Sequence, residues 1–395
     1  MKRLEIFKIF IVWRIVLFAV SALAILLIAD FGARFPYYNT VLEPTKLPSW
    51  VWGFGNFDGV HYLRIAQDSY SAQYSQAFFP LYPLLIKIFT KVNILLPKDP
   101  NLDTRIFVDP TFFYSGLILS NLMLLIALYF FYKLVILDYK KEIGLKSILL
   151  LLSFPTAFYL GSIYTESLFL LLVVGFFYLM RKQNFIAAGV LAGLASATRI
   201  FGLLLLPVFL AELYLKVKNK EILLKSEQFT KALIGILLAS TGTLLYMLYL
   251  RFEFDNPLYF LTSQPLFGAE RVSNEVILLP QVLFRYIKIF LTVPPTSLPF
   301  FNAFLEFSFT LIPLGLLFAS FKKIRFSYFI FTFGSLLLPT LTGTLSSMPR
   351  HSLMSFLMLP FLVTFSGRHF KLVVVLFILL QMILVSLFTR GYWVA

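Results

Sequence analysis

"IFIVWRIVLFAVSALAILLIA" occupies residues 9–29. At about 20 residues it is long enough to span a bilayer as a helix, and one charged residue, Arg14, interrupts it. A basic start and an apolar run also describe a cleaved leader, but no small-residue cleavage pattern follows, so the run reads as a retained first span. The rest of the 395 residues repeats the signal: 59% are hydrophobic and only 13% charged, with a mean hydropathy of +0.85. Soluble domains carry about 25% charge, so the expected fold is an all-α polytopic membrane protein.

Apolar periodicity places spans near 9–29, 111–135, 147–163, 166–180, 184–199, 201–216, 231–250, 303–320, 326–344, 352–366 and 371–388, about 11 transmembrane helices. With the N-terminus cytoplasmic, the inside segments hold 19 Lys and Arg against five acids. The outside segments hold 14 Lys and Arg, nearly balanced by acids. Basic excess on one side is what the positive-inside rule requires. Counting 280–293 as a further span would put the basic cluster Lys322–Arg325 outside, so that segment reads as interfacial.

This topology leaves two large extracytoplasmic loops, 30–110 and 251–302, each with an interfacial helix: "AFFPLYPLLIKIF" (77–89) and "LPQVLFRYIKIFLTV" (279–293). Loops of this length in a compact domain are usually functional, which points to an extracytoplasmic active site. With no cysteine, disulfides and thiolate metal sites are excluded. The three histidines, at 61, 351 and 369, lie far apart, and no metal or cofactor site is expected. No phosphate-binding glycine loop or nucleophile elbow occurs. The net charge of +15 belongs to membrane sidedness rather than to nucleic acid.

The first loop carries "NFDGVHYLRIAQDSY" (56–70), with Asp58, His61, Arg64 and Asp68 on one helical face. Asn56 is a good N-cap for that helix. An acid at a helix N-terminus is favourable on its own, but that accounts for Asp58 and not for His61, Tyr62 and the surrounding aromatics. A carboxylate in an aromatic-lined loop at the membrane surface is a candidate general base. Asp68 reads as a solvated loop residue. Glu166 opens the fourth span from outside, where helix-dipole stabilisation and function account for it equally. Arg199 ends the fifth span, either as a snorkelling cap or as a site residue. Arg350 and His351 follow Pro349 at a helix start, where a cation opposes the macrodipole, and an anionic lipid phosphate nearby would resolve that conflict. Asp255, Asn256 and Gln264 suit turn chemistry, and Tyr392 and Trp393 suit interfacial anchoring.

Together these stretches resemble a known family. "FDGVHYLRIAQDSY", "QAFFPLYPLL", "SFPTAFYLGSIYTESLF", "GVLAGLASATRIFGLLLLP", "MPRHSLMSFLMLP" and "FTRGYWVA" look, in this order, like the mannosyltransferases that add the second mannose of GPI anchors (PIG-V) and their prokaryotic relatives. The family usually has Trp-Asp where this chain has Phe57-Asp58. The resemblance implies a GT-C glycosyltransferase that takes mannose or another hexose from a polyprenyl (dolichyl) phosphate donor. The sugar would pass, with inversion, to a lipid or glycan acceptor hydroxyl. Asp58 is then the base, with His61, Tyr62, Glu166, Arg199, Arg350 and His351 binding substrate. It also implies a single transmembrane domain, in a prokaryotic cell membrane on general context. A transporter or flippase of a lipid-linked saccharide is the competing reading. It would place polar residues in broken helices at mid-membrane depth, whereas here they gather at outer span ends.

Overall fold

A computed structural model describes residues 2–32, 37–92, 101–267, 271–272 and 275–394. Every regular element among the described residues is helical. Six helices are long and apolar enough to cross a membrane: Lys2–Leu27, Pro110–Val135, Ile200–Lys218, Glu227–Phe254, Leu298–Ser320 and Met348–Thr389. Phe185–Ser196 and Phe326–Thr342 are apolar but shorter. The protein is a multi-pass membrane protein, as its composition requires.

The chain divides into two compact units, 1–171 with 368–394 and 172–367. In the first unit, Lys2–Leu27 packs along the closing helix Phe370–Thr389. Trp13 Nε1 donates to Gln381 Oε1 (3.2 Å) across that pair. Gln381 Nε2 in turn donates to the carbonyls of Leu152 and Phe154 (2.9 and 2.7 Å). Pro110–Val135 starts where the sequence says it should: the Asp109 carboxylate accepts from Thr111 N (2.8 Å) and Pro110 takes the first helical position. The short amphipathic helix Leu81–Val92 lies on it through Tyr82 and Ser120 hydroxyls 2.6 Å apart and a Thr90–Ser115 hydrogen bond of 2.7 Å.

The expected span over 147–163 differs in a way that bears on the site. The helix that should run over 147–163 covers Lys141–Ser153 and stops. Pro155 pushes Phe154 out of the helical region (ψ 137°), and a 3₁₀ segment, Ala157–Gly161, follows. The extended stretch after it delivers Glu166 to the start of the next helix, Glu166–Arg181.

In the second unit, Phe185–Ser196 and Glu227–Ala239 touch backbone to backbone. A Cβ built on Gly189 would lie 2.2 Å from the Gly235 carbonyl oxygen, so only glycine permits the approach. Phe177 packs edge-on to Tyr328 and Phe331. The buried Glu212 accepts from the Ser327 hydroxyl. The expected interfacial segment is a 14-residue amphipathic helix, Leu279–Thr292, laced to the segment 341–347. Arg285 Nη1 donates to Gly343 O (2.9 Å), and Leu345 N donates to the Tyr286 hydroxyl (3.1 Å). That hydroxyl donates to the Glu306 carboxylate.

Candidate active site

Asp58 is the first residue of the helix Asp58–Asp68, and the turn before it is unusual. Phe57 sits at φ 58°, ψ −117°, a backbone conformation that a residue with a Cβ adopts only under compulsion. Its surroundings supply the compulsion. The Phe57 ring meets Phe388 and Trp393 at 5.8 and 5.0 Å between centroids. Asn56 Nδ2 donates to the Phe388 carbonyl (3.0 Å), and the Asn56 carbonyl accepts from the Tyr164 hydroxyl (2.9 Å). Ile163 N donates to Phe54 O (2.9 Å). The segment carrying Asp58 is thus fixed at both neighbours, while Asp58 itself is only half-buried.

These contacts correct two expectations. Asn56 does not cap the helix, because its side chain is engaged by the chain end more than 300 residues away. Trp393 is not simply an interfacial anchor, because its ring forms one wall around Phe57.

His61 lies one turn beyond Asp58 with its ring stacked on Phe78 (4.6 Å, 22°). Burial pushes its imidazole down to about 4, and the Asp58 charge offsets this only in part. His61 is therefore neutral at physiological pH, able to act as a hydrogen-bonding group rather than as a cation. Tyr62 is buried edge-on to Phe78, Tyr82 and Tyr164. Glu166 is 1% exposed and lies within electrostatic reach of Tyr82. Burial raises that phenol, and Tyr62 and Glu166 add to the effect against a hydrogen bond with Ser120. Arg64 and Asp68 pair with each other (3.2 Å), and Arg64 also donates to Ile106 O (3.2 Å). Their role is to tie the helix to the following loop.

In the second unit, Arg199 follows the end of Phe185–Ser196 in extended conformation. Its Nη2 lies 3.3 Å from His351 Nδ1. A guanidinium only donates, so Nδ1 accepts and the His351 proton sits on Nε2. Phe201 packs beneath both, 5.0 Å from the His351 ring and 5.5 Å from the Arg199 guanidinium. Arg350 is 9% exposed on the single turn Met348–His351, which continues as 3₁₀ helix to Met358. One turn has little macrodipole, so the expected conflict between Arg350 and a helix N-terminus is slight.

Arg271 joins this group. Its Nη1 donates to Gln264 Oε1 (3.3 Å) and its Nη2 to Ser347 Oγ (3.4 Å), and its charge faces His351 together with Arg199 and Arg350. Nothing about an isolated arginine in a long loop signals that. Asp255 pairs with Arg251 (2.9 Å), and Asn256 accepts from Leu258 N (3.0 Å), the turn chemistry expected of them. Among the described residues, no three His, Asp or Glu side chains are grouped to hold a metal.

Residues 3–263 match the family model described as mannosyltransferase (PIG-V). The chain belongs to the PIG-V mannosyltransferase family. The matched region exceeds half of the chain and contains Asp58, His61, Tyr62, Glu166 and Arg199; Arg350 and His351 lie beyond it. Membership makes the protein a membrane glycosyltransferase. A search of curated proteins finds no match.

Proposed function

We propose that this PIG-V family member transfers a hexose, most simply mannose, from a polyprenyl-phosphate donor to a hydroxyl of a lipid or glycan acceptor, with inversion and on the extracytoplasmic face. Asp58 is the general base. The acceptor oxygen bonds to the anomeric carbon as the bond from that carbon to the phosphate oxygen breaks. Asp58 takes the hydroxyl proton, and the polyprenyl phosphate leaves with the electron pair. Neutral His61 and the Tyr62 face orient the acceptor, with Glu166 holding the sugar. Arg199 and Arg350, with His351, stabilise charge on the departing phosphate. The whole chain acts as one GT-C-type domain with its N-terminus cytoplasmic, in a prokaryotic cell membrane.

The observation that carries this reading is the Asp58 turn. A strained Phe57 backbone, braced by Phe388, Trp393 and Tyr164, presents a half-buried carboxylate. Strain of this kind clusters at active sites. The test is transfer of radiolabelled mannose from polyprenyl-phosphate mannose by the purified protein. Asp58→Asn should lose about 10²–10⁴-fold in rate, the range of general-base catalysis. Full activity in that variant removes Asp58 from the base role.

A further inference from the structure

We propose that Arg14 is a positioning residue for the transfer reaction, setting the register between the segments that carry Asp58 and Glu166. The inference rests on the reading of Asp58 as the base. Arg14 lies in the first apolar helix and is 7% exposed, and both its Nη atoms are buried with no hydrogen-bond partner among the described residues. A guanidinium in such a place is costly unless a specific contact repays it. The contact is aromatic. The guanidinium carbon lies 4.2 Å from the Phe18 ring centroid and 4.3 Å from that of Phe54. A planar delocalised cation can serve two rings, which a lysine ammonium does less well.

The third contact is Gly161. A Cβ there would lie 2.6 Å from Arg14 Nη1 and 3.1 Å from Trp13 Cη2, so the guanidinium fills the space that any other residue would claim. Phe54 stands four residues before Asp58, and Gly161 five before Glu166. The two segments are joined beyond this point by Ile163 N to Phe54 O and by the Tyr164 hydroxyl to Asn56 O, both 2.9 Å. Arg14 thus touches both segments at the end where they first meet. It reaches no acid among the described residues and acts on the reaction through the alignment of Asp58 and Glu166.

The experiment uses full-length protein and the variants Arg14→Met, Arg14→Lys, Gly161→Ala and the double variant Gly161→Ala/Arg14→Met. Two quantities are read: kcat and donor KM for mannosyl transfer, and amide hydrogen exchange at Ile163. Arg14→Met should lower kcat by about 10- to 100-fold, the cost of a misplaced catalytic group, with donor KM unchanged within about twofold and Ile163 exchange accelerated. Arg14→Lys should fall between it and the wild type. Gly161→Ala alone should behave like Arg14→Met. The double variant should be no worse than either single one, because the shorter, uncharged side chain leaves room for the new Cβ. Wild-type kcat in Arg14→Met, additive losses in the double variant, or unchanged Ile163 exchange overturns the inference. A wild-type protein that transfers no mannose overturns the mannosyl reading instead, and Ile163 exchange still decides whether the clamp exists.

Discussion

The two units hold their candidate residues by different physics. In the first, Asp58 is placed mainly by backbone: a positive-φ residue and a hydrogen bond from Ile163 N to Phe54 O, braced by the Tyr164 hydroxyl on the Asn56 carbonyl and by rings packed on Phe57. In the second, Arg350 and His351 follow a loop that also has a positive-φ residue, Ser347, and backbone bonds from Val272 and Ile277, but whose remaining ties are side chains: Arg285 on Gly343, Tyr286 on Leu345, Arg271 on Ser347. Backbone strain fixes a direction and tolerates little variation. Side-chain lacing fixes a position with contacts that can be removed singly. In the proposed function the first arrangement serves proton transfer, where aim matters most, and the second charge stabilisation, where proximity suffices.

The largest effect that would break this contrast is at Phe57, which is 4% exposed. Phe57→Ala removes a buried ring and should cost about 3–5 kcal/mol of stability, together with most of the transfer rate. Phe57→Trp, the residue the family usually carries here, should keep both. Thermal unfolding in detergent and the mannose transfer assay measure the pair. A well-folded, fully active Phe57→Ala variant would mean that the braced turn does not aim Asp58.

Arg350→Glu comes next. Reversing a charge at the proposed phosphate site should raise donor KM by tenfold or more, since losing a charged hydrogen bond costs about 1.5–3 kcal/mol, while acceptor KM stays near wild type. An unchanged donor KM takes Arg350 out of the phosphate site. Tyr286→Phe is milder. It leaves Leu345 N and the Glu306 carboxylate without their hydroxyl partner, worth about 1–3 kcal/mol. Because the lacing is distributed, it should lower unfolding temperature and raise donor KM a few-fold, with Asp58-dependent kcat preserved. A collapse of kcat in this variant would erase the distinction between the units.

How much of this was legible in the sequence follows the range of the interactions. The apolar runs give the helices, because burial in lipid depends on local composition. The span expected from 111 starts at Pro110 behind an Asp109 cap, whereas the one expected from 303 already starts at Leu298 behind Ser297. Pro155 is visible in the sequence, yet the apolar run continues through it to 163; the break it makes is what frees Gly161–Glu166 to meet the Phe54–Asp58 segment. Asn56 looks like a cap locally, but its partners, the carbonyls of Phe388 and Thr389, lie beyond any local window. Arg14 looked like an interruption of a span, and its meaning comes from Phe54 and Gly161. Arg271 has no local pattern at all. Residue type and order were enough to suggest Asp58, Glu166 and Arg199, but what holds each of them is long-range.

The smallest effect concerns pH. His61 titrates near 6.5 when unfolded and is held at about 4 in the fold by burial, with Asp58 pulling the other way. Between those values the unfolded chain binds more protons. The stability carried by the neutral imidazole is therefore complete above pH 6.5 and is lost as pH falls towards 4, by at most about 1.4 kcal/mol per pH unit. His61 is partly exposed, so the measured slope should be a fraction of that limit. His61→Phe keeps a ring on Phe78 and removes the titration, so its unfolding temperature should fall less steeply than the wild type's between pH 6.5 and 4. Equal slopes would mean that the His61 imidazole stays solvated. The aromatic wall of the first unit would then be too open to exclude water from the acceptor hydroxyl proposed to meet Asp58.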